Sequence, residues 1–157
     1  MDIRRNFIKL TLTAVMLLCS SSLSVADELE PNGMASADDN EIVIVSPSNK
    51  SEFLTLNQLR AIFSLRAREW PNGTGITVVV LKDQEKVHKE FLVKTLKMLP
   101  HQLRRQWDRF IYSGIGQGPV VVGSQNEMVN KVNSIPGAIG YIEGGVPHET
   151  VTTISIR

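Results

Sequence analysis

Cysteine is all but missing from this 157-residue chain, which has Cys19 and no other. No apolar run reaches the ~20 residues that a membrane-spanning helix needs. The stretch from Leu10 to Leu18 falls well short. It follows Arg4, Arg5 and Lys9 and precedes Ser24-Val25-Ala26. A positive start, a short apolar centre and small residues three and one before a cut are the marks of a cleavable export signal. Residues 1–26 are therefore expected to be a signal peptide, and the mature protein to work outside the cytoplasm, in the periplasm. Cys19 then departs with the signal. Without a thiol, the mature chain has no disulfide, no cysteine metal ligand and no cysteine nucleophile.

Basic charge is not in surplus either. The signal carries three of the 17 Lys+Arg and one of the 16 Asp+Glu, leaving 14 against 15. A nucleic-acid partner calls for a basic excess, so none is expected. Two variants of the signal need separating. Arg4-Arg5-Asn6-Phe7-Ile8-Lys9 resembles the twin-arginine export signal of bacteria. Ile3 precedes the pair where serine or threonine is usual, which favours the Sec route and leaves the twin-arginine route as the alternative. Leu18 before Cys19 is too bulky for a lipoprotein signal, so lipid attachment is excluded.

Catalytic machinery is also scarce. His88, His101 and His148 lie far apart without metal-ligand spacing, and each reads as a surface histidine. No G-x-S-x-G elbow is present. Gly114, Gly116 and Gly118 lack the spacing of a dinucleotide loop and any following Gly-Lys-Ser/Thr, and they precede a strand instead of opening a helix. They read as a loop. Glu85 with Lys89, and Glu90 with Lys94, have the i,i+4 spacing of helix-surface ion pairs. No enzyme and no cofactor is expected.

What is present is an alternation of strands and helices. Asp27 to Asn40 is acidic and offers little to bury, so it reads as a disordered lead-in. Residues 41–157 then form one domain. Ile42–Val45 and Ile76–Leu81 are β-branched runs typical of strands buried on both faces, and Ile42–Val45 and Val78–Leu81 are expected side by side and parallel, joined by a right-handed crossover. Val120–Val122, Ala138–Ile142 and Val151–Ile156 are further strands. Thr55 with Gln58 forms a capping box opening a helix whose stripe is Leu56, Leu59, Ile62 and Phe63. Val87, Phe91, Leu92, Leu96 and Leu99 share one helical face, and Leu103, Trp107, Phe110 and Ile111 another. Ser124 with Glu127 is a second capping box, opening a helix with Met128, Val129 and Val132 inward. Trp70, beside Pro71-Asn72-Gly73, is expected to be exposed. The pattern implies an α/β fold with a mostly parallel sheet flanked by helices. Helices opening near Thr55, Asp83 and Ser124 would gather their amide-rich N-termini at the carboxyl ends of the strands, where such sheets bind ligands.

From Ile42 to Ile142 the order of motifs resembles the periplasmic phosphate-binding proteins of ABC transporters, in particular their short single-lobe relatives. The carrying residues are Ile42–Asn49, Leu54-Thr55 with Leu59–Phe63, Trp70–Gly73, Phe91, Trp107 with Phe110 and Gly114, and Pro136–Tyr141. The resemblance implies one lobe of a type 2 periplasmic-binding fold, beginning at the strand that crosses into the second lobe. The family grips phosphate with an arginine after the second strand and a Ser-Gly-Thr turn. Lys82 stands near the arginine position, keeping the charge without the bidentate fork, and the turn reads Asp83-Gln84-Glu85-Lys86-Val87. On this basis Ser46, Asn49, Lys82, the amides near Val87, and His88 are the candidate ligands of phosphate or another small oxyanion. The alternative is a non-catalytic sensory or adaptor module that docks on a membrane-protein partner or on itself.

Overall fold

The computed structural model describes residues 41–157 except Ile115. The expected signal and lead-in, residues 1–26 and 27–40, lie outside the described residues. Strand β1 (Glu41–Val45) is followed by the two-residue β2 (Phe53–Leu54) and helix α1 (Leu56–Phe63). Then come β3 (Thr77–Leu81), α2 (Lys86–Glu90), which runs into a π-helical turn (Phe91–Thr95), and α3 (Pro100–Tyr112). The chain ends with β4 (Val120–Val122), α4 (Gln125–Ser134), β5 (Ala138–Glu143) and β6 (Thr152–Ile156). Among the described residues no helix is long and apolar enough to cross a membrane.

The strands form one sheet in the order β2-β6-β1-β5-β3-β4. β5 is parallel to β3, β3 to β4, and β2 to β6, whereas β1 is antiparallel to both β5 and β6. Five strands therefore run one way and β1 alone runs against them. This corrects the expectation that Ile42–Val45 and Val78–Leu81 are parallel neighbours, because β5 lies between them. A β-branched run records burial on both faces but carries no direction, so β1 takes its partners from strands about a hundred residues later.

Successive β5 side chains face opposite layers. Tyr141 points to the side of α1, α2 and α3, where its ring stacks on Phe91 at 3.9 Å and Phe63 meets Phe91 edge-on at 5.0 Å. Gly140 points to α4, and a Cβ there would come within 2.5 Å of Met128 Sδ. Glycine lets α4 lie close on the sheet, with Met128, Val129 and Val132 buried.

Local signals translate well into local structure. Thr55 Oγ1 accepts the Gln58 amide at 3.2 Å, and Gln58 Oε1 accepts the Thr55 amide at 2.9 Å, completing the box that opens α1. Pro100 opens α3, where its missing N–H costs nothing. Trp107 is buried with Leu103, and its Nε1 donates to Phe63 O at 2.7 Å. Ile111 on the same stripe is exposed.

Other expectations need correcting. Trp70 is only 4 % exposed, and its Nε1 donates to Gly137 O at 2.9 Å. The turn beside it is on the surface, but the indole tucks under β5. Leu99 is 49 % exposed because the helix it was assigned to stops at the π turn, and Leu99 instead caps α3. Glu90 pairs with Lys94 at 3.3 Å as expected, but its second partner is Lys86 at 3.6 Å, in place of a Glu85–Lys89 pair.

Candidate functional site

Because β2, β3, β4, β5 and β6 point the same way, the segments that follow them emerge at one rim. Helices α1, α2 and α4 begin there, after β2, β3 and β4. Lys82–Glu85 leaves β3, Gly123-Ser124 leaves β4, and Gly144–Val146 leaves β5. A cleft of about 360 Å³ lies between them, lined by Leu81, Glu85, Val87, Gly123, Ser124, Gln125, Asn126 and Val146.

The start of α4 shapes this cleft. Ser124 Oγ accepts the Glu127 amide at 3.2 Å, which is half of the expected capping box. Glu127 Oε2 instead accepts the amide of Gly123 at 2.7 Å, one residue before the cap. A Cβ on Gly123 would stand 3.4 Å from Glu127 Oε2 and 3.8 Å from Lys82 Nζ. These are ordinary contact distances, and they place the Lys82 ammonium and the Glu127 carboxylate beside the same residue. Gln125 ties the helix to β5: its Oε1 accepts the Glu143 amide at 2.6 Å and its Nε2 donates to Glu143 Oε2 at 3.3 Å.

Beneath the rim lies a polar relay. The ladder between β3 and β5 covers only Thr77 and Val78, and further along, the Leu81 amide donates to Tyr141 OH at 3.0 Å. The same hydroxyl is hydrogen-bonded to His88 Nδ1. His88 Nε2 faces Asp83 Oδ1 at 3.8 Å, so the tautomer that satisfies all three groups carries its proton on Nε2 and lets Nδ1 accept from tyrosine. Asp83 Oδ2 is paired with Arg104 at 3.2 Å, and Arg104 with Asp108 at 3.6 Å. Desolvation pushes the His88 pKa below 6.5, opposed by Asp83 and reinforced by Lys89. Burial raises that of Tyr141. Both side chains are neutral at pH 7.

Of the five residues singled out from the sequence, Lys82 and Val87 sit at the rim, Lys82 exposed and Val87 half-buried. His88 is not a surface histidine: it is 2 % exposed and its ring nitrogens face Tyr141 and Asp83. Ser46 and Asn49 lie at the opposite end of the sheet. They follow β1, the reversed strand, and the Ser46 amide donates to Ala138 O at the beginning of β5. Extending the register, Ser46 is level with Ala138 and Lys82 with Glu143. Five residues of strand, roughly 16 Å, separate the two groups. Ser46 and Asn49 build a turn, with the Asn49 amide on Ser46 O at 2.8 Å and the Ser51 amide on Asn49 Oδ1 at 2.9 Å. The sequence reading missed Gly123, Gln125 and Tyr141 as parts of this end. His88 had a signal, since it stands three and four residues before Phe91 and Leu92 and so shares their buried face.

This architecture, a mostly co-directed sheet between helical layers with its helix N-termini at one rim, agrees with the comparisons. The model of the PBP superfamily domain matches residues 39–154. The chain belongs to that family. A comparison with curated proteins finds no match. Among solved structures, a phosphate ABC transporter substrate-binding protein from Clostridium perfringens, with bound phosphate, is similar with a TM-score of 0.62 and 18% identity over 76% of this chain and 46% of that one. An ABC-type phosphate transport receptor from Vibrio cholerae and PstS from Borrelia burgdorferi each give a TM-score of 0.58 and 20% identity, over 76% of this chain and 47% of theirs. At these identities the likeness is one of fold. The PBP-like chain spans about half the length of these structures.

Proposed function

We propose that this PBP-like chain is an exported, non-catalytic domain of the phosphate-uptake lineage that contacts a small oxyanion at its strand-end rim. The observation that carries the reading is the meeting of Lys82 with Gly123 at the start of α4. A cation beside a helix N-terminus suits an oxyanion, which here must compete with Glu127 Oε2 for the Gly123 amide. The relatives that its fold resembles are substrate-binding proteins and not enzymes, in keeping with a binding role.

The same geometry keeps the affinity low. An exposed ion pair contributes about 0.2–1 kcal/mol and a helix N-terminus about 0.3–1 kcal/mol, far from the roughly 8 kcal/mol of micromolar binding. Glu85 and Glu127 flank the approach and repel a dianion. Asp83 opposes it less, since Arg104 pairs with it. Calorimetric titration with phosphate and with sulfate, on the native domain and on Lys82→Ala, is the test. A component of weak binding that is lost in Lys82→Ala supports the reading, and titrations identical in the two proteins refute it.

The second reading is an adaptor that docks on a membrane-protein partner or on itself. The acidic residues around Lys82 favour it, because they suit a basic protein surface better than a free anion. Light scattering over a concentration series tests the self-docking form directly.

A further inference from the structure

A larger cavity lies away from the rim. It measures about 720 Å³ and opens between the end of α1 and the outer side of α3, where Arg66, Arg105 and Arg109 line it together with Leu65 and Phe110. No carboxylate is among its lining residues. This is notable in a domain that carries no basic surplus after its expected signal. The other arginines nearby are occupied: Arg60 Nε donates to Leu96 O at 2.7 Å, and Arg104 pairs with Asp83 and Asp108. The acid of the same helix, Asp108, therefore faces Arg104 and leaves Arg105 and Arg109 without an ion pair among the described residues.

The arrangement has a cost and a constraint. Arg105 and Arg109 stand four apart on α3, a spacing at which like charges repel and weaken a helix. Arg66 is held in place, since its Nε donates to the buried Ser64 Oγ at 3.0 Å, and Ser64 Oγ in turn donates to Ala61 O at 3.2 Å. Leu65, which turns the chain from α1 to this arginine, adopts a left-handed φ of 62°, a conformation costly for a side-chain-bearing residue. Phe110 is pressed into position by the glycine-rich loop. A Cβ on Gly116 would come 2.8 Å from its ring, and one on Gly118 would come 2.7 Å from Ile111 Cδ1. The glycines read earlier as a plain loop thus serve close packing against the end of α3.

We infer that this cavity is a second anion site, for a small soluble molecule bearing two or more negative charges on phosphate or carboxylate groups. Three guanidiniums offer paired N–H donors that match such oxygens, and a bound polyanion offsets the Arg105–Arg109 repulsion. Phe110 and Leu65 supply an apolar wall for a carbon skeleton. The volume falls within the roughly 300–1,000 Å³ of small-ligand sites, and the concave form suits a soluble molecule better than a flat membrane surface. The site is independent of the rim, since Lys82 takes no part in it.

The probes are inorganic pyrophosphate and citrate, titrated calorimetrically into the signal-free domain at low and at moderate salt. Vesicles containing phosphatidylglycerol form a separate arm. Binding of pyrophosphate or citrate that depends on the three arginines is expected, weakening as salt rises. Arg105→Gln and Arg109→Gln should each reduce it roughly ten-fold, Arg66→Gln should also reduce it, and Lys131→Gln, the same loss of charge at an exposed position of α4, should leave it unchanged. The urea midpoint of Arg109→Gln without ligand should equal or exceed that of the native domain, which separates loss of binding from loss of fold. Absence of binding to both soluble anions, binding unchanged in the arginine variants, or binding to vesicles alone would each overturn the assignment.

Discussion

Tyr141 OH hydrogen-bonds His88 Nδ1 and accepts the Leu81 amide, so one hydroxyl satisfies a side chain of α2 and the backbone of β3. Tyr141→Phe keeps the stacked ring on Phe91 but orphans both groups. An unsatisfied buried polar group costs about 1–3 kcal/mol, and the variant is expected to lose stability in that range in urea unfolding. The pH dependence follows from His88. Its folded-state pKa is lowered below 6.5, chiefly by desolvation, so between that lowered value and 6.5 the unfolded chain binds more protons. The stability due to neutral His88 is complete above about pH 6.5 and is lost as pH falls through the folded value. Urea midpoints of the native domain should decline over this window, and those of His88→Gln should decline less.

Trp107 joins α3 to the end of α1 through its bond to Phe63 O. Removing a buried tryptophan typically costs ~3–5 kcal/mol. Trp107→Ala is expected to lower the urea midpoint accordingly, and Trp107→Phe to lower it less, because the ring volume is mostly retained while the carbonyl loses its donor.

Two glycines with similar backbone offer a controlled comparison. Gly73 and Gly137 have φ of 81° and 75°. A Cβ on Gly73 meets nothing within 4 Å, whereas one on Gly137 falls 2.2 Å from Gly75 O. Gly73→Ala should cost only the left-handed penalty of about 1–2 kcal/mol. Gly137→Ala should cost clearly more, because backbone must move and the Trp70 bond to Gly137 O goes with it. Equal thermal midpoints for the two variants would contradict this packing.

Much of the fold was legible because its determinants are local. The Thr55 box, Pro100 and the β-branched strands each act within a few residues. The direction of β1 was not legible, because it depends on β5 and β6, and it is this reversal that carries Ser46 and Asn49 away from Lys82. Strand β2 is too short to show a period. Trp70 misled because turn chemistry places the backbone at the surface without saying where an indole folds. At the site, Lys82 and the Ser124 cap were readable from order and capping pattern. Gly123 and the Gln125–Glu143 tie were not, because they arise from the crossing of α4 over the end of β5.

Export is tested by intact mass. Protein recovered from a bacterial periplasm is expected to begin at Asp27, after Ser24-Val25-Ala26. A product that keeps Cys19 with an attached lipid would contradict the proposed processing.

The strand-end rim is the proposed place where a small oxyanion is met. Phosphate titrated into the ¹⁵N-labelled domain and followed by amide chemical shifts addresses it residue by residue. We predict progressive, weak-affinity shifts of Lys82, Gly123, Ser124, Gln125 and Asn126, abolished in Lys82→Ala, with Ser46 and Asn49 unmoved at the far end of the sheet. Shifts absent from Lys82 and Gly123–Asn126 at every phosphate concentration, or centred on Ser46 and Asn49, would contradict it.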